Sequence, residues 1–131
     1  MNASNWLEER ILNHFFRGIA TQPSAQCFLA LFISDPTDAG IGTEVQGGSY
    51  TRKVINFTAP AQVDGRGTIF NDTEIRFPVA TSNWGTVTHF GIYTAATDGD
   101  LLAHGVVIIP KLIETGDEAR FNANALSVSI D

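Results

Sequence analysis

His14, His89 and His104, the single Cys27 and two groups of loop carboxylates are the side chains here whose types first suggest catalysis or metal binding. No histidine has a second ligand-type residue at the spacing a zinc or iron site needs, and His14 has Arg10 and Arg17 as its nearest charges. His89 and His104 fall in extended runs, where a satisfied or exposed structural histidine is expected; a pairing across neighbouring strands is the weaker alternative. Cys27 opens the apolar run CFLALFI and is expected to be buried as a small hydrophobe. As the only cysteine it has no intrachain disulfide partner.

Calcium takes six or more oxygen ligands, yet neither Asp35, Asp38 and Glu44 nor Asp98 and Asp100 follow the Asp-x-Asp-x-Asp-Gly loop pattern. They read as turn residues that bond their own backbone. The nucleophile elbow G-x-S-x-G, the phosphate loop G-x-x-x-x-G-K-[ST] and a G-x-G-x-x-G helix entry are absent from the sequence. The expectation is a non-enzymatic protein without catalytic residue, cofactor or metal.

Composition narrows the partners. The 14 acidic and 8 basic residues give a net charge of −6, which repels a phosphate backbone, so no nucleic acid is expected as partner. The one adjacent basic pair, Arg52-Lys53, lies in an extended run and reads as solvated surface, its two side chains on opposite faces. No apolar run nears the ~20 residues of a membrane span, and the first residues lack a signal-peptide pattern, so no membrane partner is expected either. The hydrophobic share of 44%, with 17% charged residues, belongs to a folded globular chain.

The elements that must carry these groups follow from periodicity. Leu7, Ile11 and Phe15 recur every four residues, and Leu12 and Phe16 widen the stripe into an amphipathic helix over residues 5–17. Asn5 is expected to cap it in a capping box with Glu8, and Gly18 to end it. From there on, short runs of β-branched and aromatic residues alternate with turns: 26–33, 49–58, 67–70, 73–79, 86–95, 101–109, 118–122 and 126–130. Ile75, Phe77 and Val79, and again Leu126, Val128 and Ile130, alternate with polar residues and should face inward. Residues 106–109 are apolar on both faces, so that strand is expected to be central under a cover, for which the helix is one candidate, or to form an oligomer contact. Asp98-Gly99 predicts a tight hairpin turn; Gly65 and Gly67, Asn71-Asp72 and Gly116-Asp117 mark others. Residues 34–49 form the longest loop, a length usually functional or mobile. The fold expected is mainly β: an antiparallel β-sandwich, jelly-roll-like, in a single domain over 1–131, with a helix at 5–17 and the sandwich at 26–131.

Residues 81–93, TSNWGTVTHFGIY, set a Trp-Gly corner before a strand, and Trp84 is expected to plug the core with its indole N–H on a backbone carbonyl. Together with LFISDPTDAG (31–40), GTEV (42–45), GGSYTR (47–52), FPVAT (77–81) and the leading helix, this block resembles a family of small tailed-phage virion structural proteins. The pattern is also similar to the jelly-roll cement protein on the capsid of a Bordetella phage. The resemblance implies a capsid decoration (cement) protein made in the host bacterial cytoplasm and bound outside the assembled head. Its implied partners are the major capsid protein and copies of itself, as a homodimer or else a trimer. A tail, baseplate or fibre-associated role is the alternative. A carbohydrate-binding module is another, and would need Tyr50, Trp84 or Tyr93 exposed as a stacking platform. The contact surfaces expected are the helix, through Trp6, Leu7, Ile11 and Phe15, and the loop region, through Asp35, Glu44, Tyr50 and Arg52. A helix that merely caps the sandwich is an equal alternative.

Overall fold

The computed structural model describes residues 1–131 and is mainly β, with one helix and antiparallel sheets forming a β-sandwich. In chain order the elements are β1 (Asn2–Ala3), α1 (Asn5–Arg17), β2 (Cys27–Phe32), β3 (Lys53–Ile55), β4 (Ala61–Val63), β5 (Arg66–Phe70), β6 (Ile75–Arg76), β7 (Gly85–Tyr93), β8 (Leu101–Ile113), β9 (Arg120–Phe121) and β10 (Ser127–Ile130). A five-stranded sheet runs β1-β8-β7-β2-β3, a three-stranded one β10-β5-β4, and β6 pairs with β9.

The centre is β2, whose Leu29, Ala30, Leu31 and Phe32 are all fully buried. Alternate residues of a strand face opposite sides. Leu29 and Leu31 therefore join the main core with Ile55, Val87, Phe90 and Ile92, while Ala30 and Phe32 pack with Tyr93 and Leu101 in a second cluster. Phe77 anchors the main core: Tyr50 stacks on it at 6.1 Å, and Trp84 and Phe121 meet it edge-on at 6.5 and 6.3 Å.

Trp84 is the expected plug, buried with its Nε1 donating to the Gly48 carbonyl at 3.0 Å. Gly48 is irreplaceable there, since a Cβ would lie 2.7 Å from that indole nitrogen. Asp98 and Gly99 adopt φ 53° and 73°, but β7 ends at Tyr93 and β8 begins at Leu101, so they lie in a longer connection over 94–100 and not in the tight turn expected. Asp64 and Gly65, at φ 51° and 77°, do form a two-residue hairpin turn between β4 and β5, whereas Gly67 lies inside β5 rather than at a turn.

Several expectations are corrected. The cap of α1 is Ser4, one residue earlier than Asn5: its Oγ accepts from the Leu7 N–H at 3.2 Å, so no capping box with Glu8 forms. Two strands, β1 and β4, carry no clear period, and the runs 49–58, 73–79 and 118–122 shrink to two or three ladder residues each. Val79 and Ile130 are exposed: the chain leaves its ladder after Arg76, and Ile130, the last residue of β10, lies opposite Gly67, which has no side chain to cover it. Cys27 is half-buried rather than buried.

Candidate functional site

The 34–49 loop is tied down at many points. Ile33 N–H donates to Thr43 O, Val45 N–H to Leu31 O, and Glu44 bridges back to Phe32. Asp35 Oδ1 accepts from the Thr37 N–H at 2.8 Å, as expected of a turn carboxylate. Glu44 has a different part. Arg52 grips its two oxygens in a fork, Nε to Oε2 at 2.9 Å and Nη2 to Oε1 at 2.8 Å, and Tyr50 donates its hydroxyl to Oε2 at 2.6 Å. The same hydroxyl accepts from the Leu31 N–H, and Arg52 Nη1 donates to the carbonyls of Ala95 and Asp98. The Arg52 guanidinium lies over the Tyr93 ring, its carbon 3.8 Å from the centroid.

This clamp joins the loop, β2 and the β7–β8 connection. Burial, and then the Glu44 hydrogen bond, push the Tyr50 hydroxyl far above its ordinary range. Burial alone would lower Arg52, but the bonds and charge of Glu44 outweigh it and hold Arg52 above its usual value. Glu44, Tyr50 and Arg52, expected as contact residues, are bonded to one another, and the Arg52 side chain is covered rather than solvated. It is 8% exposed.

A second polar knot seats the helix. Ser4 is buried; its Oγ donates to Leu101 O, and its N–H donates to Leu102 O at 2.9 Å. Asn5 N–H donates to Asp38 O, and the Asp38 carboxylate accepts from Nε2 of buried His104 at 2.7 Å. His104 is therefore a satisfied structural residue. It pairs with Gly91 across the ladder while His89 pairs with Val106, so the two histidines are not partners.

Beyond its N-terminus α1 stands clear of the sheet. None of its residues is buried. Leu7 and Ile11 line, with Cys27, Pro23 and Leu102, a groove of about 480 Å³ between helix and sheet; Trp6 lies at its edge under the Arg10 guanidinium. Phe15 also lines the groove yet is 74% exposed, and Leu12, Phe16 and Ile19 are exposed too, Phe16 at 79%. Of the expected contact residues, then, the structure brings Trp6, Leu7, Ile11 and Phe15 together on one side of α1. It leaves Asp35 exposed beside His104, at 3.9 Å.

A further apolar surface lies on β8. Val87 pairs with Lys111 and His89 with Val106, so Thr88 alone stands opposite Val107, Ile108, Ile109 and Pro110. That bulge forms a knuckle on which Ile108 is 93% exposed, with Val106, Ile109 and Leu112 also exposed. The helix does not cover it: α1 meets β8 at Leu102, nearer the other end. Of the two expectations for residues 106–109, a covered central strand and an oligomer contact, the cover is not there; Leu112 lies beyond that run and was not expected at a contact.

The platform that carbohydrate stacking requires is not built. Trp84 and Tyr93 are buried, and Tyr50 packs against Phe77. The arrangement offers exposed apolar faces and structural polar clamps. Over residues 2–129 the chain matches the family model described as Podophage GP4 fiber I protein gp80. A search of curated proteins finds no match.

Proposed function

We propose that this chain, which belongs to the Podophage GP4 fiber I protein gp80 family, is a non-enzymatic subunit of the phage virion that works by being built into an assembly at the tail fibre. A phage virion structural protein is what the family supports. The fibre position is our reading, and the family's name supports it. The observation that carries the assembly reading is α1. Its N-terminus is held by Ser4 and Asp38, yet Leu12, Phe15, Phe16 and Ile19 present an apolar face to solvent. Burying each large side chain of that kind is worth about 1.5–3 kcal/mol, and such contiguous exposure marks an interaction surface.

A cement role on the head exterior, with the major capsid protein as partner, is the second reading. It is favoured by a subunit with two separate apolar faces, because a bridge between shell neighbours gains avidity from engaging both. Purified particles separate the readings. Under the fibre reading a stained gel shows far fewer copies than of the major capsid protein, and antibody labels the tail. Copies comparable to the major capsid protein, with label over the head, would establish the cement reading instead. Complete absence from particles would remove both.

A further inference from the structure

We propose that residues 106–112 of β8 form a two-fold contact with a second copy of this chain. The inference rests on the reading of the chain as an assembly subunit, but uses a different surface from the helix face.

The first support is the shape of the edge. β1 covers β8 only at Ala103 and His104, so beyond Gly105 the strand has β7 on one side and no strand on the other. An open apolar edge is an invitation to another chain. Strand addition is blunted, however, because the bulge breaks the ladder and Pro110 has no N–H to offer. What remains is packing by side chains.

The second support is that knob and hole lie on the same patch. The knuckle forms the wall between two grooves. One, of about 310 Å³, runs along Val87, Ile113 and Phe121; the other, of about 480 Å³, runs along Phe90, Met1 and Leu126. A surface that carries both a protrusion and its receptacle is self-complementary under a two-fold axis, since each copy's Ile108 and Ile109 then enter the other's groove.

Charge leaves this patch open to a second copy where the rest of the surface is not. The chain carries −6, and copies repel one another over most approaches. Between Leu101 and Ile113 there is no carboxylate, and Lys111 is the one Lys or Arg. The groove rim adds Glu118 and Arg120, so both signs are present for a symmetric copy to meet. Size is also sufficient. Val106, Ile108, Ile109 and Leu112 present roughly 300 Å² of apolar surface. Doubled, and with the groove walls included, this reaches the order of 1,000 Å² that a weak specific dimer buries.

Sedimentation velocity of the full chain over a micromolar concentration series tests this, alongside Ile108→Asp, Phe16→Asp and Ile41→Asp. Ile108, Phe16 and Ile41 are all exposed, so the variants should keep the wild-type thermal melt. The expected result is a dimer that Ile108→Asp weakens at least about a hundredfold, because the two-fold axis counts the lost side chain twice. Phe16→Asp and Ile41→Asp should leave it intact. A monomeric wild type, a trimer, or a dimer that survives Ile108→Asp overturns the proposal. So does a dimer dissociated by Phe16→Asp, which would assign the contact to the helix. Absence of the protein from virions would instead count against the assembly reading and leave a solution dimer standing.

Discussion

Arg52 and Glu44 meet as a two-pronged ion pair with N···O distances of 2.9 and 2.8 Å, and the Arg52 side chain is nearly closed to solvent. The charge of each is met by the other. The pair holds the 34–49 loop, the Ala95 and Asp98 carbonyls and the Tyr93 ring in one arrangement.

Removal of one partner should therefore be costly. Arg52→Ala leaves the Glu44 carboxylate partly buried without its cation, and is expected to lower the unfolding free energy by about 3 kcal/mol. Arg52→Lys should recover little, since an ammonium reproduces neither the fork nor the stacking on Tyr93. Urea unfolding measures both; a loss of less than about 1 kcal/mol for the alanine variant would mean that the pair behaves as an exposed one.

Tyr50 predicts the alkaline behaviour. Its folded pKa lies above the ordinary value of 10.0, mainly through burial and then through its bond to Glu44, and Tyr93 is raised too, mainly by burial. The unfolded chain then ionises these groups first. Their contribution is complete below pH 10 and is lost as the pH climbs past that value toward the folded pKa. Unfolding free energy measured from neutral to strongly alkaline pH should fall above pH 10, and Tyr50→Phe should flatten that fall. An unchanged slope in the variant would assign the loss to other groups.

Asn71 is fully buried and satisfies three backbone groups. Its Nδ2 donates to Thr73 O and Asn122 O, and its Oδ1 accepts from the Leu126 N–H. Asn71→Ala is expected to cost about 2–4 kcal/mol, as buried backbone groups lose their partners. Asn71→Asp should cost nearly as much, because a carboxylate can only accept. Denaturation midpoints decide it, and a neutral Asn71→Asp would show that the two donations are dispensable.

The helix face separates stability from assembly. Phe15→Ser and Phe16→Ser touch side chains already in water, so thermal stability should stay within about 0.5 kcal/mol of wild type. Incorporation into particles, read from gels of virions grown with the variant supplied, should drop severely. Undiminished incorporation would show that the face has no role in assembly.

Local chemistry made much of this molecule legible. The four-residue recurrence of Leu7, Ile11 and Phe15 marks α1, the apolar run after Gln26 marks β2, and Asp98-Gly99 marks the connection between β7 and β8. Each signal is carried by neighbours a few residues apart, so no distant contact is needed to read it. The virion-protein resemblance likewise rests on short blocks in order, and the family match agrees with it.

The placement of side chains was legible only in part. Glu44, Tyr50 and Arg52 have the types of interface residues, and nothing local distinguishes a loop cation that meets a partner from one folded over Tyr93. The two-residue strands β6 and β9 lie within longer β-prone runs, because β-propensity reports suitability for a half-buried surface and not ladder length.

By itself, then, the sequence determined the elements: one amphipathic helix, a set of strands, the turns that join them, and the absence of recognisable catalytic or phosphate-binding motifs. The tertiary structure decided which groups meet. Ser4 caps α1 while bonding a carbonyl of β8, Asn71 locks the segment before β10, and the bulge opposite Thr88 turns an apolar run into an exposed knuckle. The reason is that periodicity and turn propensity act along the chain, whereas exposure and polar pairing depend on which distant strands lie alongside one another.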